Sequence, residues 1–153
     1  MKNLGIRLTP LILGMASGYV SRFGPYWDAQ RTSNIPCQPP GAAFSIVWPL
    51  LYLAMGQALL LTKSKVAWTH PAVFWFGVQL ALNLTWAPLN TYVYRADFMF
   101  FMTLLVLVAA TVATMKMANV SPTAGLYMAP YLLWLTFALS LSRSRWVMER
   151  AIR

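Results

Sequence analysis

Residues 99–113 read MFFMTLLVLVAATVA, a run whose polar side chains are only Thr103 and Thr111. A strand that crosses a membrane alternates polar and apolar side chains over a short stretch; this run does not alternate. Surrounded by hydrocarbon, such a segment must satisfy its backbone hydrogen bonds internally, and a helix does that. Outward from it, apolar stretches of similar length occur at Leu8–Gly24, Ala42–Thr62, Pro71–Tyr94 and Thr123–Leu141, with the quoted run inside Phe98–Met117. At about 20 residues per span, five spans take up about 100 residues of the 153 in the chain. The remainder suffices for loops and termini and leaves no room for a second domain. The sequence therefore predicts an all-α membrane protein, a single five-transmembrane-helix bundle over residues 1–153. Composition agrees: 59% of residues are apolar and 10% charged, against roughly 25% charged in a soluble domain.

The connections are short except one. Pro25–Gly41 holds Trp27, Asp28, Arg31, Pro36, Pro39 and Pro40 and is not helical throughout, because proline lacks a backbone donor and clashes with the preceding turn. Short links make successive helices antiparallel neighbours, so five spans put the two termini on opposite sides. Met1–Gly18 has the outline of a secretory signal, with Lys2 and Arg7 before a short apolar run. The run continues through Tyr19, Val20 and Phe23, and a first span accounts for it better.

Twelve Lys and Arg against three acidic residues give a net charge of +9. These cations sit between apolar runs, with no basic face interleaved with stacking aromatics, so they act as headgroup contacts and topology signals rather than a nucleic-acid surface. Lys2, Arg7, Lys63, Lys65 and Lys116 fall on one side; Arg22, Arg31, Arg95, Arg143, Arg145, Arg150 and Arg153 fall on the other. The positive-inside rule then puts the long loop and the C-terminus in the cytoplasm. A single cysteine, Cys37, excludes an intrachain disulfide and a cysteine-rich metal site.

Polar side chains within a span are costly in lipid and face the bundle interior, a partner or a cavity. Gln79, Asn83, Trp86 and Asn90 recur at steps of 4, 3 and 4, which at about 100° per residue keeps them on one narrow face of the third helix. Ser45, Trp48, Tyr52 and Gly56 make a matching stripe on the second helix, and Tyr131, Trp134, Ala138 and Ser142 another on the fifth. Two readings are open. In one, amides, hydroxyls and small residues cement neighbouring helices. In the other, tryptophan and tyrosine wall a pocket whose polar rim of Asn and Gln fixes a flat hydrophobic ligand, with Pro49, Pro88 and Pro130 kinking the helices apart beside it.

The runs PPGAAFSIVWPLLYLAMG (Pro39–Gly56), QLALNLTWAP (Gln79–Pro88) and PYLLWLTFA (Pro130–Ala138) resemble the translocator protein family, also called the tryptophan-rich sensory protein or TspO family. The likeness extends over nearly the whole chain, in order. It implies a five-helix homodimer with a pocket that opens toward the long first loop and takes porphyrins, sterols and isoquinoline or benzodiazepine-type drugs. By the same resemblance Trp48 and Trp134 are the pocket tryptophans, Tyr52, Asn83, Trp86 and Ala138 line the ligand, and Trp27 and Pro40 belong to a lid formed by residues 25–41. Joined to the stripes, this gives Gln79, Asn90 and Tyr131 as further ligand-site candidates.

Departures from the family pattern concentrate in the lid. Tyr26, Trp27 and Asp28 stand for its Trp-Tyr-Asp run, the stretch onward to the double proline is one residue longer, and Cys37 replaces a tryptophan two positions before that proline pair. Ser142 stands for an asparagine late in the fifth helix. The sterol motif of the mammalian branch needs a tyrosine within Leu141–Arg153, and none is there. Leu89, Tyr92 and Arg95 match its pattern on the third helix, where it carries little weight. A bacterial cell membrane and a tetrapyrrole ligand therefore fit better than a sterol-binding role.

Chemistry of other kinds finds little support. Asp28, Asp97 and Glu149 lie in separate segments at membrane edges, so paired acid and base work has no seat. His70 and Cys37 are not flanked by further ligands at metal spacing; His70, beside Pro71, belongs at the start of the third helix facing headgroups. Thiolate ligation of haem iron by Cys37 is the functional alternative to a plain loop cysteine. Met99, Met102, Met115 and Met117 read as apolar filler. The pairs Gly14 with Gly18 and Gly77 with Ala81 allow close helix approach, either within the chain or at a homodimer interface as in the family. Gly77 and Ala81 lie opposite the polar stripe of their helix.

The expected function is a membrane receptor or sensor that binds a porphyrin or haem in an intramembrane pocket, with no obligatory cofactor. The alternatives are a transporter of tetrapyrroles or other amphipaths and a light-dependent porphyrin-degrading enzyme. Transporters show repeated halves and charged coupling sites near the midplane; apart from the proline kinks, the sequence has neither.

Overall fold

Helix boundaries follow from local chemistry in the computed structural model, which describes residues 2–28, 37–93 and 95–151. Among these residues are five helices: α1 (Lys2–Ser21), α2 (Gly41–Lys63), α3 (Pro71–Tyr92), α4 (Ala96–Val120) and α5 (Pro122–Ala151). The double proline ends at Pro40, which holds extended backbone at the N-cap of α2. His70 caps α3: its Nδ1 accepts the Ala72 N–H at 3.2 Å, and Pro71 follows at the first helical position, where a missing donor costs nothing. Asp97 in the first turn of α4 accepts the Phe98 N–H at 2.8 Å, placing a negative charge at the positive end of the helix dipole.

Helices α2 to α5 are each long and apolar enough to cross a bilayer. α1 is not, because Lys2, Arg7, Thr9 and Ser17 dilute its apolar run. Two boundaries differ from the sequence expectation. α1 begins at Lys2 rather than Leu8, and α5 continues past Leu141 to Ala151. A helix need not stop where hydrocarbon does: at about 1.5 Å per residue, α5 spans about 45 Å, and Arg143, Arg145 and Arg150 lie on the part that reaches into headgroups and water.

The helices close a ring. α1 packs on α2 and α3, α2 on α5, α5 on α4, and α4 on α3. Lys65 Nζ donates to the Val120 carbonyl at 3.5 Å, so the α2–α3 and α4–α5 connections share one face. On the other face the Tyr26 N–H donates to the Thr91 carbonyl at 3.0 Å, and Glu149 Oε2 accepts the Ala96 N–H at 3.4 Å. The root of the long loop, the α3–α4 connection and the end of α5 thus lie together, opposite the start of α1.

Outward faces are as apolar as the interior. Ile12, Leu50, Phe74, Phe101, Leu126 and Leu133 are exposed, as expected where the solvent is lipid and not water. Close approach inside depends on small residues. Gly56 of α2 lies against the Arg7 carbonyl of α1, and Gly125 of α5 against Ala118 of α4. Pro88 gives α3 no N–H for the Leu84 carbonyl one turn earlier, and the Ser17 hydroxyl of α1 donates to that carbonyl instead.

Candidate functional site

The three stripes converge inside the ring on Trp48. Its indole stacks on Tyr52 with centroids 5.5 Å apart and meets Trp86, Tyr131 and Trp134 at 6.4 Å each. Three helices thus deliver five aromatic side chains to one place. Phe44 packs edge-on against Trp134 at 5.5 Å, and Phe137 adds a further ring at 5.7 Å. Neither phenylalanine was singled out from sequence, although Phe44 lies one turn before Trp48 and so on the same face of α2.

Beneath the rings is a polar floor. The Tyr52 hydroxyl donates to Asn83 Oδ1 at 2.8 Å, and Asn83 and Tyr52 are the polar neighbours of Tyr131. Gln79, 0% exposed, directs Nε2 at the Met55 sulfur at 3.8 Å, a weak acceptor. Three buried polar atoms here have no hydrogen-bond partner among the described residues: Gln79 Oε1, the Tyr131 hydroxyl and Trp134 Nε1. Each such atom costs about 1–3 kcal/mol. Interhelical packing alone accounts for the interlocked rings but not for three unmatched polar atoms beside them. Together they offer one acceptor, one hydroxyl that serves either way, and one donor.

Trp86 differs from its neighbours. Its Nε1–H donates to Thr103 Oγ1 on α4 at 2.8 Å, so its polar edge is engaged while its ring faces Trp48. Thr103 was not recognised from sequence. A threonine in an apolar helix commonly bonds back to its own preceding turn, and only the placement of α4 beside α3 turns its oxygen toward an indole.

Other predicted residues take different places. Asn90 and Ala138 are half-buried toward the loop end of α3 and α5. Ser142 joins Thr103 at 3.3 Å and donates to the Ala138 carbonyl at 2.9 Å. Ser45 is exposed, with its hydroxyl on the Gly41 carbonyl at 3.5 Å. Gly56 serves the α1–α2 crossing, as described above. In the loop, Trp27 is half-buried and Pro40 exposed; residues 29–36 of the expected lid lie outside the described residues. Cys37 is exposed, with φ of 63°, a left-handed conformation unusual for any residue but glycine or asparagine.

The small-residue pairs divide. Gly14 is buried beneath the Tyr52 ring of the same chain, the internal alternative for that position. Gly18 and Gly77 have open space where a Cβ would stand, and Ala81 is exposed. Gly77 and Ala81 line a shallow apolar groove of about 640 Å³ with Trp68, Val73 and Phe74 on the outer side of α3.

The sequence pattern of the TspO/MBR family matches residues 6–147. The chain is 36% identical over 150 residues to the translocator protein of Homo sapiens, covering 94% of this chain and 87% of the relative. It is 32% identical over 148 residues to the translocator protein of Ovis aries, with the same coverage. Over 104 residues, 65% of either chain, it is 35% identical to the tryptophan-rich protein TspO of Chlorobaculum tepidum.

Proposed function

Since this chain belongs to the TspO/MBR family and is a multi-pass membrane protein, we propose that it is a receptor or sensor that binds porphyrins and related flat hydrophobic ligands among α2, α3 and α5. One observation carries the proposal: the aromatic hub at Trp48 adjoins three buried polar atoms that have no partner among the described residues. A tetrapyrrole macrocycle offers broad apolar faces for Trp48, Trp86 and Trp134, and ring nitrogens and carboxylates for the polar atoms. Contacts between ring and ligand replace contacts between rings of similar strength, so little packing energy is lost when the hub opens. In this arrangement α1, packed along α2 and α3, is the fifth span; residues 25–41 form the lid; and a bacterial cell membrane is the location. A homodimer forms through the outer face of α3 at Gly77 and Ala81, with Gly18 of α1 at its edge.

Titration of purified protein with protoporphyrin IX tests the proposal. Tryptophan fluorescence falls saturably, and Trp48→Phe or Trp134→Phe weakens the binding. Quenching that never saturates and ignores both substitutions refutes it. The relatives' name, translocator protein, favours transport as a second reading. Flux of a labelled porphyrin into liposomes that hold the protein, above that of empty liposomes, separates transport from binding alone.

A further inference from the structure

We propose that Thr103 of α4 is a positioning residue that fixes Trp86 as a wall of the ligand site. This rests on the porphyrin-binding reading above and concerns how one wall of that site is held.

Hydrogen-bond accounting leads there. An indole has one donor and no acceptor, and a threonine hydroxyl has one hydrogen and two lone pairs. The Thr103 hydrogen goes to the Met99 carbonyl at 2.8 Å, one turn earlier on α4. A lone pair therefore takes the Trp86 Nε1–H at 2.8 Å, while the Ser142 oxygen of α5, 3.3 Å away, has its own hydrogen on the Ala138 carbonyl. Thr103 is 1% exposed, and rotating its β-branched side chain would break the bond to Met99. The acceptor thus has a fixed direction, and it fixes the indole that donates to it. The Trp86 ring then lies at 38° to Trp48. Trp134 reaches the same hub with its Nε1–H buried and, among the described residues, unmatched.

The test uses full-length protein in nanodiscs, labelled with ¹⁵N at the tryptophan indoles and titrated with protoporphyrin IX; Trp86→Phe assigns the Trp86 signal. Thr103→Val should move the Trp86 N–H signal upfield and weaken porphyrin binding about fivefold, the typical effect of one hydrogen bond. Thr103→Ser should restore both. In a Trp86→Phe background, where both partners are apolar, Thr103→Val should add no further loss; this pair keeps the test usable if the single valine variant misfolds. Wild-type binding by Thr103→Val, or failure of Thr103→Ser to restore it, overturns the proposal. So does an equal loss in the Trp86→Phe background. Absence of saturable binding by the unmodified protein overturns the porphyrin reading itself, and this proposal with it.

Discussion

Gly14→Ala should damage the aromatic site from a helix that contributes no ring to it. A Cβ on Gly14 would overlap three ring atoms of Tyr52. Relief requires Tyr52 to retreat, and its hydroxyl holds Asn83 at 2.8 Å while its ring stacks on Trp48 at 5.5 Å. Overpacking costs about 1–3 kcal/mol. Loss of the hydrogen bond and the stacking adds about 0.5–1.5 kcal/mol each. Against these stands the gain from replacing a helical glycine, about 0.5–1 kcal/mol. The net expectation is a destabilisation of about 1–5 kcal/mol. Within a single chain Gly18→Ala and Gly77→Ala meet no described atom within 4 Å and keep only the gain, so they should stabilise the monomer by about 0.5–1 kcal/mol. Reversible unfolding of the three variants in one detergent, followed by tryptophan fluorescence, reads both signs. If Gly14→Ala is as stable as Gly18→Ala and its porphyrin affinity is unchanged, then Tyr52 is not held between α1 and Asn83 as described.

Tyr52→Phe removes the donor to Asn83 Oδ1 and should cost about 1–3 kcal/mol, while Tyr92→Phe, exposed at the end of α3, should cost nothing measurable in the same assay. Ser17→Ala leaves the Leu84 carbonyl without a donor and should cost about 1–2 kcal/mol. Pro88→Ala restores the N–H that this carbonyl lacks, so Ser17→Ala should cost less in that background, and a double-mutant cycle gives the coupling directly. Gly56→Leu drives a side chain into the Arg7 backbone, which cannot turn aside as a side chain would. It should lower the unfolding midpoint more than Gly18→Leu does. In the proposed dimer, Gly77→Leu should favour monomer on size exclusion without loss of porphyrin binding, because that face lies away from the hub.

Helices were legible in the sequence because lipid leaves the backbone few options, and an unbroken run such as Met99–Ala113 has to bond internally. The stripes were legible because helical geometry fixes which residues share a face, and Trp48, Tyr52, Asn83, Trp86, Tyr131 and Trp134 were read from spacing and family motifs together. The order of helices around the ring was not. In a soluble protein the apolar face of a helix points inward, but here both faces are apolar, as exposed Leu133 and buried Leu135 on α5 illustrate. Pattern therefore cannot say which neighbour each face meets. Gly14 and Gly77 read alike as small residues, yet one lies beneath Tyr52 and the other is open. Thr103 and Thr111 read alike on one apolar helix; Thr103 accepts the Trp86 indole, whereas Thr111 is exposed with its hydroxyl on its own preceding turn. The sequence by itself determined that the chain is a set of apolar helices and which face of each carries the polar and aromatic side chains, since both depend on local geometry. The tertiary structure decided which hydrogen-bonding atoms find partners and which stay unmatched, because that depends on distances between helices far apart in the chain.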